Sequence, residues 1–315
     1  MIPMSLREQI SLTIFLLVVV GICGLEFLLI ARSLASKIRR RPVKAILFSK
    51  LAIVLHVVAI IGIGCLLYGY FIEPHWIDVN VMTIRTTKLK ETGFRVVQIS
   101  DLHCDRKPRN EAAVIRIVRG LKPDVIVATG DYLNHPAALP RLRETLGRLD
   151  APLGKFAVDG NFEARRWPGV DGLDGTGFRR LASETAVVTK GTDELGLFGM
   201  GYTRSAGSHE SIAELPQDRF DIFLFHTPDL IEDVNGRGID LYLCGHTHGG
   251  QVALPLYGAL ITLSKFGKKY ESGMYTVGDM VLYVNRGLGM EPRPAPQVRF
   301  LARPEIAVFD ILPRE

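Results

Sequence analysis

Two long apolar runs open the chain. Residues 10–31 carry one charge, Glu26, and residues 45–72 carry Lys50 near their start and His56 inside. Each exceeds the roughly 20 residues a helix needs to cross a hydrocarbon core of about 30 Å. A secretory signal peptide also starts with an apolar segment, but its core runs to about 15 residues at most and stands alone. The pattern therefore predicts a two-helix transmembrane hairpin within residues 1–78, followed by a separate unit over residues 79–315. Glu26 and Lys50 either pair between the helices or sit near the membrane surfaces.

Beyond residue 78 the apolar runs become short. Residues 94–100, 125–129, 155–159, 220–225 and 239–243 read as buried strands, and residues 79–89, 195–200, 280–284 and 305–312 as further strands. Ala113, Val114, Ile117, Val118 and Leu121 recur at helical spacing, and Pro123 ends that helix over residues 110–121. A second helix is expected over residues 138–149, with Pro140 in its first turn, and a short one over residues 178–183. Residues 163–177, rich in Gly, Pro and charge, read as a loop. Strands and helices alternate early and strands dominate later. The expected class is α/β, with two packed mixed sheets and helices on the outer faces.

Charge changes the picture in one place. The first fifty residues hold eight Lys/Arg and two acids, a net +6, so the remaining residues carry −1 of the total +5. A near-neutral domain has no footprint for nucleic acid. Arg32, Lys37, Arg39, Arg40, Arg41 and Lys44 fall between the two apolar runs, with no acid among them. By the positive-inside rule that loop is cytoplasmic, which places the rest of the chain outside the cytoplasm. Residues 73–78, without Lys or Arg, agree.

The candidate chemistry lies where the short strands end. Asp101 and His103 follow one run, Gly130-Asp131 another, Gly160-Asn161 a third and His226 a fourth. Cys244-Gly245-His246-Thr247-His248-Gly249-Gly250-Gln251 follows the fifth. In an extended segment residues i and i+2 point the same way, so each Asp-x-His or His-x-His pair converges on one point. Ligands in α/β proteins bind outside the carboxyl ends of strands. Asp, Asn and His suit Mn²⁺, Fe or Zn²⁺, with oxygen favouring the harder ions.

The motif series Asp-x-His, Gly-Asp, Gly-Asn, His, Gly-His-x-His resembles that of the calcineurin-like metallophosphoesterases, over roughly residues 80–312. Residues 226–229, 245–251, 285–289 and 303–306 are similar to a membrane-tethered branch that includes bacterial phosphodiesterases and a UDP-2,3-diacylglucosamine pyrophosphatase of lipid A synthesis. The resemblance implies a four-layer αββα sandwich and two divalent ions, Mn²⁺ foremost. Asp101, His103 and His248 would hold one ion. Asn161, His226 and His246 would hold the second, and Asp131 would bridge them. Asp131, Asn161 and His246 are thereby the expected catalytic residues.

One position departs from the pattern. Relatives read Gly-Asn-His, and that histidine assists the leaving group; here the residue is Phe162. An alkoxide leaving group benefits from an acid. A nucleotide monophosphate does not, so pyrophosphate cleavage suits this site best. The specific expectation is hydrolysis of UDP-2,3-diacylglucosamine to a lipid monophosphate and UMP, which requires a cytoplasmic site and conflicts with the charge rule. A phosphodiesterase facing outward, a non-catalytic metal-binding module, or replacement of the missing histidine by His135 or His209 stay open.

The expected partners are a bilayer and a phosphorylated amphiphile, in a multi-pass protein of a bacterial cytoplasmic membrane. Arg106, Arg165, Lys265, Lys268 and Lys269 are the expected substrate contacts, against the alternative of solvated surface charge. Cys23 and Cys65 read as packing residues within the spans; Cys104 and Cys244 are expected as buried free thiols, or as a pair if geometry allows.

Overall fold

A computed structural model of the chain describes residues 4–39, 48–202, 215–293 and 295–314. Arg40, Arg41, Lys44 and His209, and residues 45–47 of the second apolar run, lie outside the described residues.

The N-terminal runs form two antiparallel helices, α1 (Leu6–Ile38) and α2 (Lys50–Phe71). Ser5 caps α1 in a reciprocal box with Glu8, and Ser49 caps α2. The 22 residues of α2 rise about 33 Å, enough to cross a hydrocarbon core. Their leucines, valines and isoleucines lie largely exposed, as on helices that face something other than water or their own domain. The helices do not pair Glu26 with Lys50. The Glu26 carboxylate instead meets His56 Nδ1 at 2.9 Å.

Two six-stranded sheets build the rest. In the first the order is β1 (Asp78–Thr86), β14 (Glu305–Pro313), β2 (Phe94–Ile99), β3 (Val125–Ala128), β4 (Lys155–Ala157) and β5 (Phe178–Arg180). In the second it is β12 (Gly273–Val277), β13 (Met280–Val284), β9 (Leu241–Cys244), β8 (Phe220–Leu224), β7 (Asp193–Gly199) and β6 (Glu184–Lys190). A small hairpin, β10 (Ala253–Leu254) with β11 (Gly258–Ala259), stands apart from both. The core between the sheets is apolar from both sides, with Val96, Val127 and Phe309 facing Leu197, Ile222 and Leu243. Helices α3 (Glu111–Leu121) and α4 (Leu139–Gly147) cover the outer face of the first sheet through Val114, Val118, Leu142 and Leu146. Over the second sheet, among the described residues, lie one short α-helix, α5 (Ile231–Val234), and the 3-10 turns Pro228–Leu230 and Gly267–Tyr270, so that layer is thinner than the resemblance implies.

Two expectations change. Residues 178–180 form an edge strand, not a helix: Phe178 drops into the core beneath α4 and pairs with Lys155 of β4. The edge strands β6 and β12 went unread because only alternate residues are inward on each, which leaves no continuous apolar run. Residues 162–166 begin the expected loop with a π-helical turn.

Candidate metal centre

Strands β2, β3 and β4 run parallel in the first sheet, and β8 and β9 run parallel in the second. Each ends within a few residues of an expected ligand. The seven side chains of Asp101, His103, Asp131, Asn161, His226, His246 and His248 meet at those ends, all buried.

They do not converge by strand alternation. Asp101, His103, Asp131, His246 and His248 all have φ between 42° and 72°. Backbone in this left-handed region costs an ordinary residue about 1–3 kcal/mol and clusters at functional sites. The turn also corrects the reading of the His-x-His pair. Alternation would send both imidazoles to one point, whereas His248 joins Asp101 and His103, and His246 joins Asp131 and His226.

Spacing within the triads fits ions. His103 Nε2 and His248 Nε2 are 3.1 Å apart, and His248 Nε2 is 3.5 Å from Asp101 Oδ1. In the other triad His226 Nε2 lies 3.2 Å from His246 Nδ1 and 3.0 Å from Asn161 Oδ1. Ligands bound at about 2.1 Å around one tetrahedral or octahedral ion are themselves about 3–3.4 Å apart. Asp131, grouped with His226 and His246, also faces His103 of the first triad. Its Oδ1 accepts the Phe162 N–H, but its buried Oδ2 has no hydrogen-bond partner. That bare oxygen is 3.3 Å from His226 Nε2 and 3.8 Å from His103 Nε2. A buried, unpartnered carboxylate oxygen is costly in a finished fold, and a cation on each side would satisfy it.

The imidazoles are aimed from behind. His226 donates from Nδ1 to Thr129 O at 2.7 Å, and His103 from Nδ1 to Asn134 Oδ1 at 2.7 Å, so both present Nε2 inward. His246 is turned the other way: its Nε2 donates to Leu263 O at 3.1 Å and Nδ1 faces the centre. Arg299, wholly buried, has its Nη2 3.2 Å from His248 Nδ1 and also binds the carbonyls of Gly287 and Gly289. The bonds that His226, His103 and His246 make to acceptor oxygens are of the kind that fixes tautomer and ring orientation in metal sites. Gly130 lets the strand ends close up. A Cβ there would lie 2.6 Å from Gly160 N and 2.7 Å from His226 Nδ1.

Burial would lower the His226 imidazole, but the adjacent Asp131 carboxylate outweighs it and holds the group up at about 10. Burial pushes the Asp101 carboxyl up to about 6. Burial would raise Asp131 as well, but the adjacent His226 imidazole outweighs it and holds the carboxyl down at about 2. Burial drives His103 down to about 4 and His248 well below its ordinary value, which leaves them as the neutral, metal-binding form.

Two carboxylates at the centre were not read as site residues from the sequence. Glu291 clusters with His103 and Asp131, and burial, then the charges of Asp131 and Asp101, push it up to about 8. Its only signal was its place just after residues 285–289, a segment noted for resemblance. Glu163 accepts N–H groups of Asp131, Tyr132 and Gly160, each at 2.9 Å, and so ties the β3 and β4 ligand loops together. Its sequence position in a polar loop gave no hint of that.

Phe162 is buried edge-on against His103, with centroids 4.8 Å apart. Beside it, Asn161, Phe162, Arg165 and Arg166 line a recess that is open to solvent. Arg165 thus reaches the centre's mouth, stacked 5.0 Å over Tyr202. The other expected contacts are engaged elsewhere. Arg106 pairs with His135 Nε2 at 2.9 Å, which also occupies that histidine. Lys268 binds Glu271 at 2.9 Å, Lys269 lies 3.9 Å from Glu232, and Lys265 rests on the Phe266 ring. Their loop touches the centre by its backbone instead, through Leu263 O. Cys104 and Cys244 are both buried and free.

The family model for calcineurin-like phosphoesterases matches residues 94–250, the stretch that carries all seven of these side chains. The chain is also 35% identical over 269 residues to metallophosphoesterase YkuE of Bacillus subtilis, covering 78% of this chain and 89% of that one. The chain belongs to the calcineurin-like metallophosphoesterases. More distant relatives include phosphodiesterase YaeI of Escherichia coli, 27% identical over 78% of this chain and 92% of the relative. UDP-2,3-diacylglucosamine pyrophosphatase LpxG of Chlamydia trachomatis is 26% identical over 70% of this chain and 84% of the relative. This metallophosphoesterase is therefore a metal-dependent hydrolase, and its two buried triads fit a binuclear centre.

Proposed function

We propose that the protein hydrolyses a phosphodiester or pyrophosphate bond in a membrane-associated amphiphile, with UDP-2,3-diacylglucosamine as the specific candidate. Residues 1–78 are its membrane hairpin and residues 79–315 its catalytic domain. The observation that carries the reading is the buried Asp131 Oδ2 between His226 of one ligand group and His103 of the other, with no hydrogen-bond partner. Asp101, His103 and His248 would hold one divalent ion, Asn161, His226 and His246 would hold the other, and Asp131 would serve both. Mn²⁺ fits this mix of hard oxygen and imidazole ligands. When bound, the ions supply Lewis-acid polarisation of the phosphoryl group and an activated water at neutral pH.

The chain's own residues do the rest. Arg165 and Arg166 draw phosphoryl oxygens into the recess beside Asn161. Leu263 O holds His246 in the tautomer that leaves Nδ1 free to ligate. Phe162 fills the leaving-group side with an apolar ring and offers no proton, so the leaving group departs as an anion. UMP tolerates this and an alkoxide does not.

A second reading is a phosphodiesterase facing outside the cytoplasm. It is favoured by Arg32, Lys37 and Arg39 at one end of the hairpin, because the domain contacts the opposite ends of α1 and α2. Phosphorus NMR of the detergent-solubilised protein with Mn²⁺ and UDP-2,3-diacylglucosamine tests both readings. Release of UMP by wild type and not by Asp131→Ala or His246→Ala is expected. Metal-loaded wild type that releases none would remove that substrate and leave the outward phosphodiesterase.

A further inference from the structure

Each transmembrane helix is joined to one ligand triad through very few residues. At the start of α1 the buried Glu8 accepts the N–H and the hydroxyl of Thr262, at 2.7 and 2.9 Å. The next residue is Leu263, whose carbonyl holds His246. Near the end of α2, Gly69 O accepts the Arg299 N–H at 2.9 Å, and the Arg299 side chain reaches His248. Neighbouring Cα atoms are only about 3.8 Å apart. The metal centre therefore sits immediately against the ends of the spans.

Two loops of the domain flank those helix ends, and each carries an exposed leucine. Leu256, at the tip of the β10–β11 hairpin, is wholly exposed with φ 64°, and Leu301 is 51% exposed with φ 54°. A bulky apolar residue held in left-handed backbone and aimed at water is doubly unfavourable unless something apolar receives it. Their neighbours fix their height. Tyr257 hydrogen-bonds Ser11, which lies inside the first apolar run, and Phe300 meets the Tyr68 ring edge-on inside the second. Both leucines thus stand level with the ends of the apolar spans that meet the domain, the start of the first and the close of the second. Around them lie aromatic–cation pairs, Lys268 over Tyr257 at 4.2 Å and Arg303 over Trp76 at 3.7 Å. This is the composition of a membrane–water interface, where aromatic rings and the stems of Lys and Arg straddle the boundary.

We propose that the β10–β11 tip and the turn at residues 299–303 form a rim that dips Leu256 and Leu301 into the lipid surface. The rim seats the metal centre at headgroup level, where a phosphate of a lipid still resident in the bilayer can enter. The inference rests on the membrane reading above, and continuity with the spans is what names the bilayer as occupant.

The test uses full-length protein in vesicles of phosphatidylcholine and phosphatidylglycerol, with or without brominated acyl chains. Leu256→Trp, Leu301→Trp and a span reporter, Leu17→Trp, are each compared with wild type to remove the signal of Trp76 and Trp167. The added fluorescence of all three is expected to be blue-shifted and quenched at least twofold by brominated lipid. Quenching of Leu17→Trp alone, with the rim tryptophans quenched by aqueous iodide, would overturn the inference and leave the anchor standing. Rim tryptophans that are blue-shifted but insensitive to both quenchers would mean that a second copy covers the patch, which also overturns it. If Leu17→Trp itself escapes brominated lipid, the membrane reading falls and the inference with it.

Discussion

Glu163→Gln is the substitution that most directly tests how the two ligand loops are held. Glu163 Oε2 accepts the N–H groups of Asp131 and Gly160, and Oε1 accepts that of Tyr132. Glutamine keeps the size and one oxygen, so the first two bonds can survive. Its amide nitrogen then faces the Tyr132 N–H, donor against donor. A buried N–H left facing another donor costs about 1.5–3 kcal/mol. For a domain of this size each kcal/mol moves Tm by about 2–4 °C. The expected fall is about 3–12 °C, measured by thermal unfolding in detergent with a chelator present so that metal release does not enter. Without chelator, metal content should fall as well, because Asp131 and Asn161 flank the broken contact. Exposed Glu194→Gln is the control and should move Tm by less than about 2 °C. A Glu163→Gln protein with unchanged Tm and full metal content would refute the claim that this carboxylate organises the site.

Phe162→His should raise turnover of an aryl phosphodiester about tenfold or more, since a positioned acid commonly contributes at least that much; unchanged rates would dismiss the missing-acid argument. Gly69→Val should lower Tm and loosen metal binding, because a Cβ there would lie 2.9 Å from Arg299 O, whereas Gly62→Val, with nothing within 4 Å, should do neither. Equal behaviour of the two in thermal unfolding and metal analysis would show that α2 does not bear on the centre. Asp193 gives a pH test away from the metals. Burial would raise its carboxyl, but the N–H groups of Thr92, Glu91 and Lys90 hold it down at about 2, below its ordinary 3.8. Its contribution is complete above the ordinary value and is lost as pH falls through about 2. The stability deficit of Asp193→Asn should therefore shrink between about pH 4 and pH 2 in urea titrations, and a constant deficit would contradict this.

The helices and the buried strands were legible because each rests on a local apolar pattern. The ligand residues were legible because they end such strands, where few other polar residues fall. What the sequence hides is orientation. Nothing local distinguishes an extended His246-Thr247-His248 from one with both histidines at positive φ, yet only the latter divides them between two triads. Glu163, Glu291 and Arg299 were missed for a related reason. Their roles come from backbone groups and rings brought in from distant segments, and each looks like an ordinary charged loop residue. Lys268 misled in the opposite sense: a free cation in sequence, it is spent on Glu271 and the Ala259 carbonyl.

The grip of the two helices on Thr262 and Arg299 means that the obvious place to cut this chain is not a mechanical seam. A fragment starting at residue 79 would lose Glu8 and Glu73, the acceptors for the N–H groups of Thr262 and Ala302. Those groups sit one to three residues from the atoms that steady His246 and His248. The two N-terminal helices thus bear on the shape of the metal centre, and a fragment without them would be a different catalyst, not the same one set free.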